Sequence, residues 1–157
     1  MSSIGDAIQE KCMAFGDRVI KLNDYLLSQA CKLEEERCKM SDVRGTMSGR
    51  IRIPIYLKSV ATLSNQLLRA GTSIGATNAE ATNAISKADF KSKSFIALKE
   101  ARESLYWIEM LHRNNYIDDK QYNSLYADCE ELVKVLVHRC KKLNDNKDGK
   151  KNDGEEK

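Results

Sequence analysis

The chain has 157 residues, of which 41% are hydrophobic, and its 26 Lys and Arg against 23 Asp and Glu give a formal net charge of +3. This length predicts one domain that buries a sizeable core without disulfides or metal. A single Pro and 8 Gly favour long helices over a β fold. No apolar run reaches the ~20 residues of a membrane span and the N-terminus lacks a signal-peptide core, so we expect a cytoplasmic protein without a membrane partner.

Five cysteines fit the same compartment, because their number is odd and none belongs to a CxxC motif. Cys12, Cys129 and Cys140 fall on apolar helical stripes, where a thiol packs as a small hydrophobic group. We therefore expect all five cysteines, which also include Cys31 and Cys38, to be reduced and structural.

The first half of the chain predicts two helices. Apolar residues recur at helical spacing and predict a first helix over about 6–37. The period is lost from Met40 to Ile53, where Gly and Ser enter, and this stretch is predicted to be a long loop. Pro54 suits the first turn of a second helix, which extends to about Ala84. Gly71 and Gly75 inside it indicate the close approach of a neighbouring backbone, with a flexible kink as the alternative.

Two further helices follow after tight corners. Ser86 with Asp89 resembles a capping box and begins a third helix, 87–113; Asp118 with Gln121 begins a fourth, 118–143. The polar side of the fourth helix ends in cations that complement the helix dipole: Lys134, His138, Arg139, Lys141 and Lys142. Short corners require antiparallel packing, so the predicted fold is all-α, an up-down antiparallel four-helix bundle over 1–143. Residues 144–157 contain no apolar side chain and predict a disordered tail.

The third helix carries more apolar surface than one core-facing stripe requires. We predict that the surplus side chains contact another subunit, the alternative being that the helix packs between two neighbours of its own chain. The predicted interface residues are Phe95, Leu98, Tyr106 and Trp107.

One motif suggests metal chemistry. Glu109 and His112 have the Glu-x-x-His spacing that forms half of a di-iron carboxylate site. The full site needs a second such pair, but Val135 stands where the only other histidine, His138, would need its glutamate. Zinc-ligand spacings and a phosphate-binding loop are also missing from the sequence. We therefore predict no metal, no cofactor and no catalytic residue, and expect a protein that is not an enzyme.

Basic residues concentrate from Val43 to Ala79, a segment without Asp or Glu. Lys58 and Arg69 are eleven residues apart, so they project from nearly the same side of the second helix, opposite its apolar face. Such cations neutralise the phosphates of RNA or DNA, although a solvated face is the simpler alternative. The full predicted phosphate-binding set is Arg44, Arg50, Arg52, Lys58, Arg69, Lys87 and Lys91.

A family resemblance rests on four motifs between Gln66 and Leu111: QLLRAGTSIGA, EA, SKADF and IALKEARESLYW. They resemble the bacterial four-helix bundle proteins encoded in intervening sequences of large-subunit ribosomal RNA genes, a family that includes accessory proteins of diversity-generating retroelements. The resemblance covers about 15–27 and 63–143. The chain departs from the family pattern at Asn78, where an aliphatic residue is expected, and in an extra stretch over about 28–58.

The resemblance implies a homo-oligomer, specifically a pentamer, and its ties to RNA genes favour the nucleic-acid interpretation. The leading hypothesis is a non-enzymatic oligomeric bundle that binds RNA or DNA through backbone contacts. The alternative is a protein-binding scaffold, for example an accessory subunit that docks a reverse transcriptase.

Overall fold

A computed structural model describes residues 4–42 and 55–145. These form four α-helices: α1 (Ile4–Asp42), α2 (Ile55–Thr82), α3 (Lys87–Arg113) and α4 (Asp119–Asp145). Helices α1 and α3 occupy opposite corners, and each packs against α2 and α4. The described residues contain no strand. The predicted up-down antiparallel four-helix bundle is confirmed.

The ends of the helices differ in detail from the prediction. Helix α1 continues past Arg37 to Asp42, so 40–42 are helical instead of part of the loop. The apolar period stops earlier, but charged residues such as Glu36 and Lys39 are good helix formers and extend the helix without it. Helix α2 ends at Thr82. Helix α4 includes residues 144 and 145, which composition alone places in the tail. The rest of the predicted loop, 43–53, lies outside the described residues, as do Pro54, the predicted start of the second helix, and the rest of the tail, 146–157.

The predicted capping box forms in full at α4 and in part at α3. The Oγ of Ser86 accepts a hydrogen bond from the Asp89 amide (3.1 Å), and the Asp89 carboxylate accepts from the amide of Ile85 (3.2 Å). At the start of α4 the exchange is fully reciprocal. The Asp118 carboxylate accepts from the Gln121 amide (2.7 Å), and the Gln121 side chain accepts from the Asp118 amide (3.0 Å). Each box pairs amides that the first turn of a helix otherwise leaves unbonded.

The core contains the cysteines that the apolar pattern places there. Cys12, Cys129 and Cys140 are buried free thiols, whereas Cys31 is exposed on α1. Burial raises the pKa of Cys12 to about 11 and that of Cys129 to about 12, so both thiols stay protonated at neutral pH. Cys38 belongs to α1, and its side chain is outside the described part.

Helices α1 and α2 approach closely at the two glycines of α2. A Cβ added at Gly71 would lie 3.1 Å from Cγ2 of Val19 and 3.3 Å from Cε1 of Phe15. At Gly75 the nearest atoms would be Cβ of Cys12 at 3.5 Å and its carbonyl carbon at 3.8 Å. The predicted close approach is therefore confirmed, with α1 as the neighbour, and α2 is a continuous helix through both glycines.

A buried polar network joins all four helices at one end of the bundle. Asn78 of α2 has no exposed surface. Its amide group donates to Oε1 of Gln9 on α1 (2.6 Å), and its Oδ1 accepts from the guanidinium of Arg139 on α4 (2.6 Å). Gln9 donates in turn to the carbonyl of Gly75 (3.3 Å). The Arg139 guanidinium also lies over the ring of Phe90 on α3, 5.7 Å from its centroid.

The network explains the departure from the family pattern at Asn78. An aliphatic side chain at this position would offer no acceptor to Arg139, whose partial burial lowers its pKa by disfavouring the charged form. Arg139 therefore lies partly within the bundle, which corrects its predicted place among the cations on the polar side of α4.

Replacing Asn78 with Val should lower the free energy of unfolding by about 1–3 kcal/mol, because the substitution leaves partly buried polar groups of Gln9 and Arg139 unpaired. Urea unfolding followed by circular dichroism measures the decrease. The control is Asn65→Val, the same exchange at an exposed position of α2. An equal decrease in the two variants would show that the network contributes nothing to stability.

Candidate nucleic-acid interface

The exposed side of α2 presents the two cations that the spacing predicts. Lys58 and Arg69 are both exposed, while Val60, Leu67 and Ile74 on the opposite side are buried. This arrangement follows from the helical repeat, because eleven residues correspond to nearly three whole turns. Both cations therefore point to solvent from the same side of the bundle.

Elsewhere on the bundle, Lys and Arg side chains form ion pairs with acids of a neighbouring helix or of their own helix. They join Lys11 to Glu131, Arg18 to Asp128, Lys93 to Glu80, Arg113 to Glu109 and Lys134 to Glu130. Among the side chains that the structure describes, no carboxylate lies within ion-pair distance of Lys58, Arg69, Lys87 or Lys91. The predicted cations that can be described therefore carry charge that no neighbouring acid neutralises.

The predicted cations are spread along the bundle. Lys58 lies in the first turns of α2, and Lys87 follows the end of that helix, roughly 40 Å away at 1.5 Å per residue. Lys87 and Lys91 line an open cleft of about 1350 Å³ at the α2–α3 corner, together with Phe90 and Phe95. Arg44, Arg50 and Arg52 lie outside the described residues.

The predicted interface residues on α3 divide into two pairs. Phe95 and Tyr106 have 38% and 56% of their surface exposed. Leu98 is 9% exposed and belongs to the core, so a partner would reach little of it. Trp107 is half-buried and donates its indole N–H to Glu103 (3.1 Å). Their role in an oligomer stays a prediction.

Two exposed cations of α3 are absent from the set predicted by sequence. Lys99 and Arg102 lie between Phe95 and Tyr106 on the helix surface, and neither has a carboxylate partner in the described part of the chain. Their signal is present in the sequence, because the steps from Phe95 to Lys99, Arg102 and Tyr106 are four, three and four residues. If Phe95 and Tyr106 are interpreted only as surplus apolar surface, the two cations between them are overlooked.

Glu109 and His112 both have protein partners. The Glu109 carboxylate accepts from the hydroxyl of Tyr122 (2.7 Å) and from Nε of Arg113 (2.7 Å), and these bonds lower its pKa. The bond to Glu109 raises the pKa of Tyr122 to about 12. His112 stacks on Tyr122 and lies 2.7 Å from a carboxylate oxygen of Asp119. The cluster joins α3 to α4, and the described residues contain no group of three His, Cys, Asp or Glu suited to a metal ion.

A shallow groove of about 310 Å³ runs between α1 and α2. Its lining residues include Met13 and Ile20, which are 62% and 42% exposed, and a floor of small residues that includes Gly16, Ala76 and Ala79. The groove lies where the α2 glycines bring the two helices together. None of the described helices is both long and apolar enough to cross a bilayer.

The described residues thus form a four-helix bundle with exposed cations on α2 and α3 and an open apolar groove between α1 and α2. The sequence profile of the 23S rRNA-intervening sequence protein family matches residues 55–138, and the chain belongs to this family. A crystal structure of a protein of unknown function from the S23 ribosomal protein family of Bacteroides thetaiotaomicron VPI-5482 is similar, with 34% sequence identity and a TM-score of 0.63. The alignment covers 87% of this chain and 97% of that one. The search of curated proteins gives no significant match.

The purified protein should contain no stoichiometric metal, and His112→Ala should leave the fold intact, because this side chain bonds a highly exposed aspartate at a helix end. Elemental analysis and far-UV circular dichroism test the two statements. As a control, Leu111→Ala at the neighbouring fully buried position should lower the free energy of unfolding by about 2–5 kcal/mol. Iron or manganese near one per chain would contradict the prediction and restore Glu109 and His112 as ligands.

Proposed function

We propose that this protein is a non-enzymatic, cytoplasmic, oligomeric four-helix bundle that binds RNA or DNA through the phosphate backbone. The observation that carries the proposal is the exposed face of α2, where Lys58 and Arg69 have no carboxylate partner among the described residues. The first acid of that helix is Glu80, and it pairs with Lys93. The family is named for the 23S rRNA gene, which makes RNA the first polyanion to test.

The chemistry of this face favours binding without sequence preference. Neutralising a phosphate releases condensed counterions, and this gain depends on charge and not on base identity. Near the cations are Thr62 and Thr72, whose hydroxyls donate to carbonyls of their own helix at 2.7 Å. These hydroxyls hydrogen-bond within the helix, so positioning by phosphate contacts is the binding mode that suits the face.

Oligomer formation would repeat this face around a symmetry axis and multiply its charge. The proposal is supported by Met13 and Ile20, large apolar side chains exposed along the α1–α2 groove. Small residues on the groove floor allow a helix to approach closely. The resemblance to the family supplies the expected number of subunits, which is five.

A protein-binding scaffold is the second candidate function, and the same α1–α2 groove favours it. In that case the groove receives a helix of a different protein, such as the reverse transcriptase of a retroelement. The two candidates differ in what covers Met13 and Ile20, whereas only the first requires the cations of α2.

Replacing Lys58 and Arg69 together with Gln should weaken binding to every RNA and DNA sequence alike. On duplex DNA, log K falls with log salt at a slope of about −0.9 per phosphate neutralised. The double variant should flatten this slope by roughly one unit for each phosphate that a subunit no longer neutralises. Fluorescence anisotropy titrations at several salt concentrations measure both effects.

The matched control is Lys11→Gln with Lys134→Gln, which removes the same charge from lysines that are already paired with Glu131 and Glu130. Its salt slope should stay close to that of the wild type. Equal flattening in both double variants would show that net charge, and not the α2 face, governs binding. No binding by the wild type at low salt would reject nucleic-acid binding and leave the scaffold.

The protein should elute as a closed homo-oligomer, expected to be a pentamer, when light scattering is measured behind a sizing column. Ile20→Lys should shift the population towards the monomer, because it places a charge in the apolar groove. Lys21→Ala at the adjacent exposed position is the control. A wild-type monomer that persists at high concentration would contradict this prediction.

A further inference from the structure

Five residues form a continuous stripe on the surface of α3: Lys91, Phe95, Lys99, Arg102 and Tyr106. They follow one another at steps of four, four, three and four residues, the spacing of neighbours on one side of a helix. We call this set the α3 stripe. It alternates three cations with two aromatic rings, and it is distinct from the α2 face that carries the proposed function.

The rings of the α3 stripe are open to a ligand. Tyr106 is 56% exposed and Phe95 is 38% exposed. Tyr106 is supported from within by Trp107, whose ring packs edge-on against it with centroids 4.9 Å apart. Trp107 is itself fixed by the bond from its indole N–H to Glu103. The ammonium of Lys91 lies 5.9 Å from the Phe95 centroid, where it contributes a cation–π contact.

The charges of the α3 stripe are not neutralised locally. Lys91, Lys99 and Arg102 have no carboxylate partner within 4–42 and 55–145. Of the acids near the stripe, Glu103 accepts from Trp107, and Glu109 accepts from Tyr122 and Arg113. The stripe therefore combines exposed π faces with cations that form no ion pair among the described side chains.

We propose that the α3 stripe binds single-stranded nucleic acid, with bases stacked on Phe95 and Tyr106 and phosphates held by Lys91, Lys99 and Arg102. Proteins that bind single strands combine these two elements, aromatic platforms and a basic track. The two rings are eleven residues apart, or about 16 Å along the helix. At about 3.4 Å per stacked nucleotide, this distance spans about five nucleotides.

A second copy of the chain suits the α3 stripe less well. A symmetric contact of the stripe with itself would bring six cations together, which costs free energy of desolvation and repulsion. A nucleic acid is a polyanion and would attract the same cations. We therefore assign the stripe to nucleic acid and treat subunit contact as the competing outcome. The inference rests on the proposed function but concerns a different surface and a different strand state.

The test compares the binding of fluorescein-labelled U12, dT12 and a 12-base-pair duplex by anisotropy. Phe95→Leu and Tyr106→Leu should each weaken single-strand binding about fivefold or more, because base stacking on an aromatic ring contributes about 1–3 kcal/mol. Neither should change duplex binding or the salt slope, since neither removes a charge. Lys99→Gln with Arg102→Gln should flatten the slope for single strands. Tyr25→Leu, an exposed tyrosine on α1, is the control.

A second readout comes from Trp107, the only tryptophan of the chain. A base stacked on Tyr106 lies close to this indole, so U12 should quench its fluorescence in the wild type and much less in Tyr106→Leu. Circular dichroism and urea unfolding verify that the ring variants are folded, as expected for exposed positions.

The outcomes separate the two proposals. Single-strand binding that is insensitive to both ring substitutions, but is weakened by the double change at Lys58 and Arg69, would overturn the α3 stripe and leave the proposed function standing. A wild type that binds none of the three probes would overturn both. Ring variants with unchanged affinity and a smaller mass in light scattering would assign the stripe to subunit contact and overturn the inference.

Discussion

The two hydrogen bonds of Asn78 set the arrangement of one end of the bundle. A buried amide can be satisfied only if both partners reach it, and those partners come from the neighbouring helix α1 and from α4, diagonally opposite α2. The close approach of α1 at Gly75 brings Gln9 within reach. Apolar packing tolerates small displacements, whereas this network requires three helices in one register, with Phe90 of α3 under the guanidinium. The amide thus adds specificity to a core that hydrophobic packing holds together.

The charged side chains of the bundle divide into those that form ion pairs and those that stay unpaired at the surface. Ion pairs join α1 to α4 and α2 to α3, and they commit Glu131, Asp128 and Glu80 to cations on neighbouring helices. Exposed ion pairs contribute little stability each, and neither Lys58 and Arg69 of α2 nor Lys99 and Arg102 of α3 take part in those described. The surfaces proposed for nucleic acid are therefore the parts of the bundle that the ion pairs leave uncompensated.

Much of the fold could be predicted from the sequence, because helix periodicity and capping boxes are local signals. The number of helices and the buried cysteines follow from the spacing of apolar residues. The corners before α3 and α4 follow from the capping motifs. Arg139 could not be placed, because a cation in a last turn usually points to solvent, and only the three-dimensional arrangement shows that an amide on α2 receives it. The α3 stripe escaped prediction for a different reason. Its spacing is visible in the sequence, but reading Phe95 and Tyr106 only as apolar surface separated them from Lys99 and Arg102. The predictions for Arg44, Arg50 and Arg52 fall outside the described residues.

The antiparallel order of the helices places the first and last described residues, Ile4 and Asp145, at the same end of the bundle. The last residue of α1, Asp42, and the first of α2, Ile55, lie towards the opposite end. A circular permutation that links residue 4 to residue 145 and opens the chain between 42 and 55 would therefore preserve every helix and every helix pair. It would also carry new termini to the far end, away from Asn78. The order of the helices along the chain can thus be changed without changing their packing.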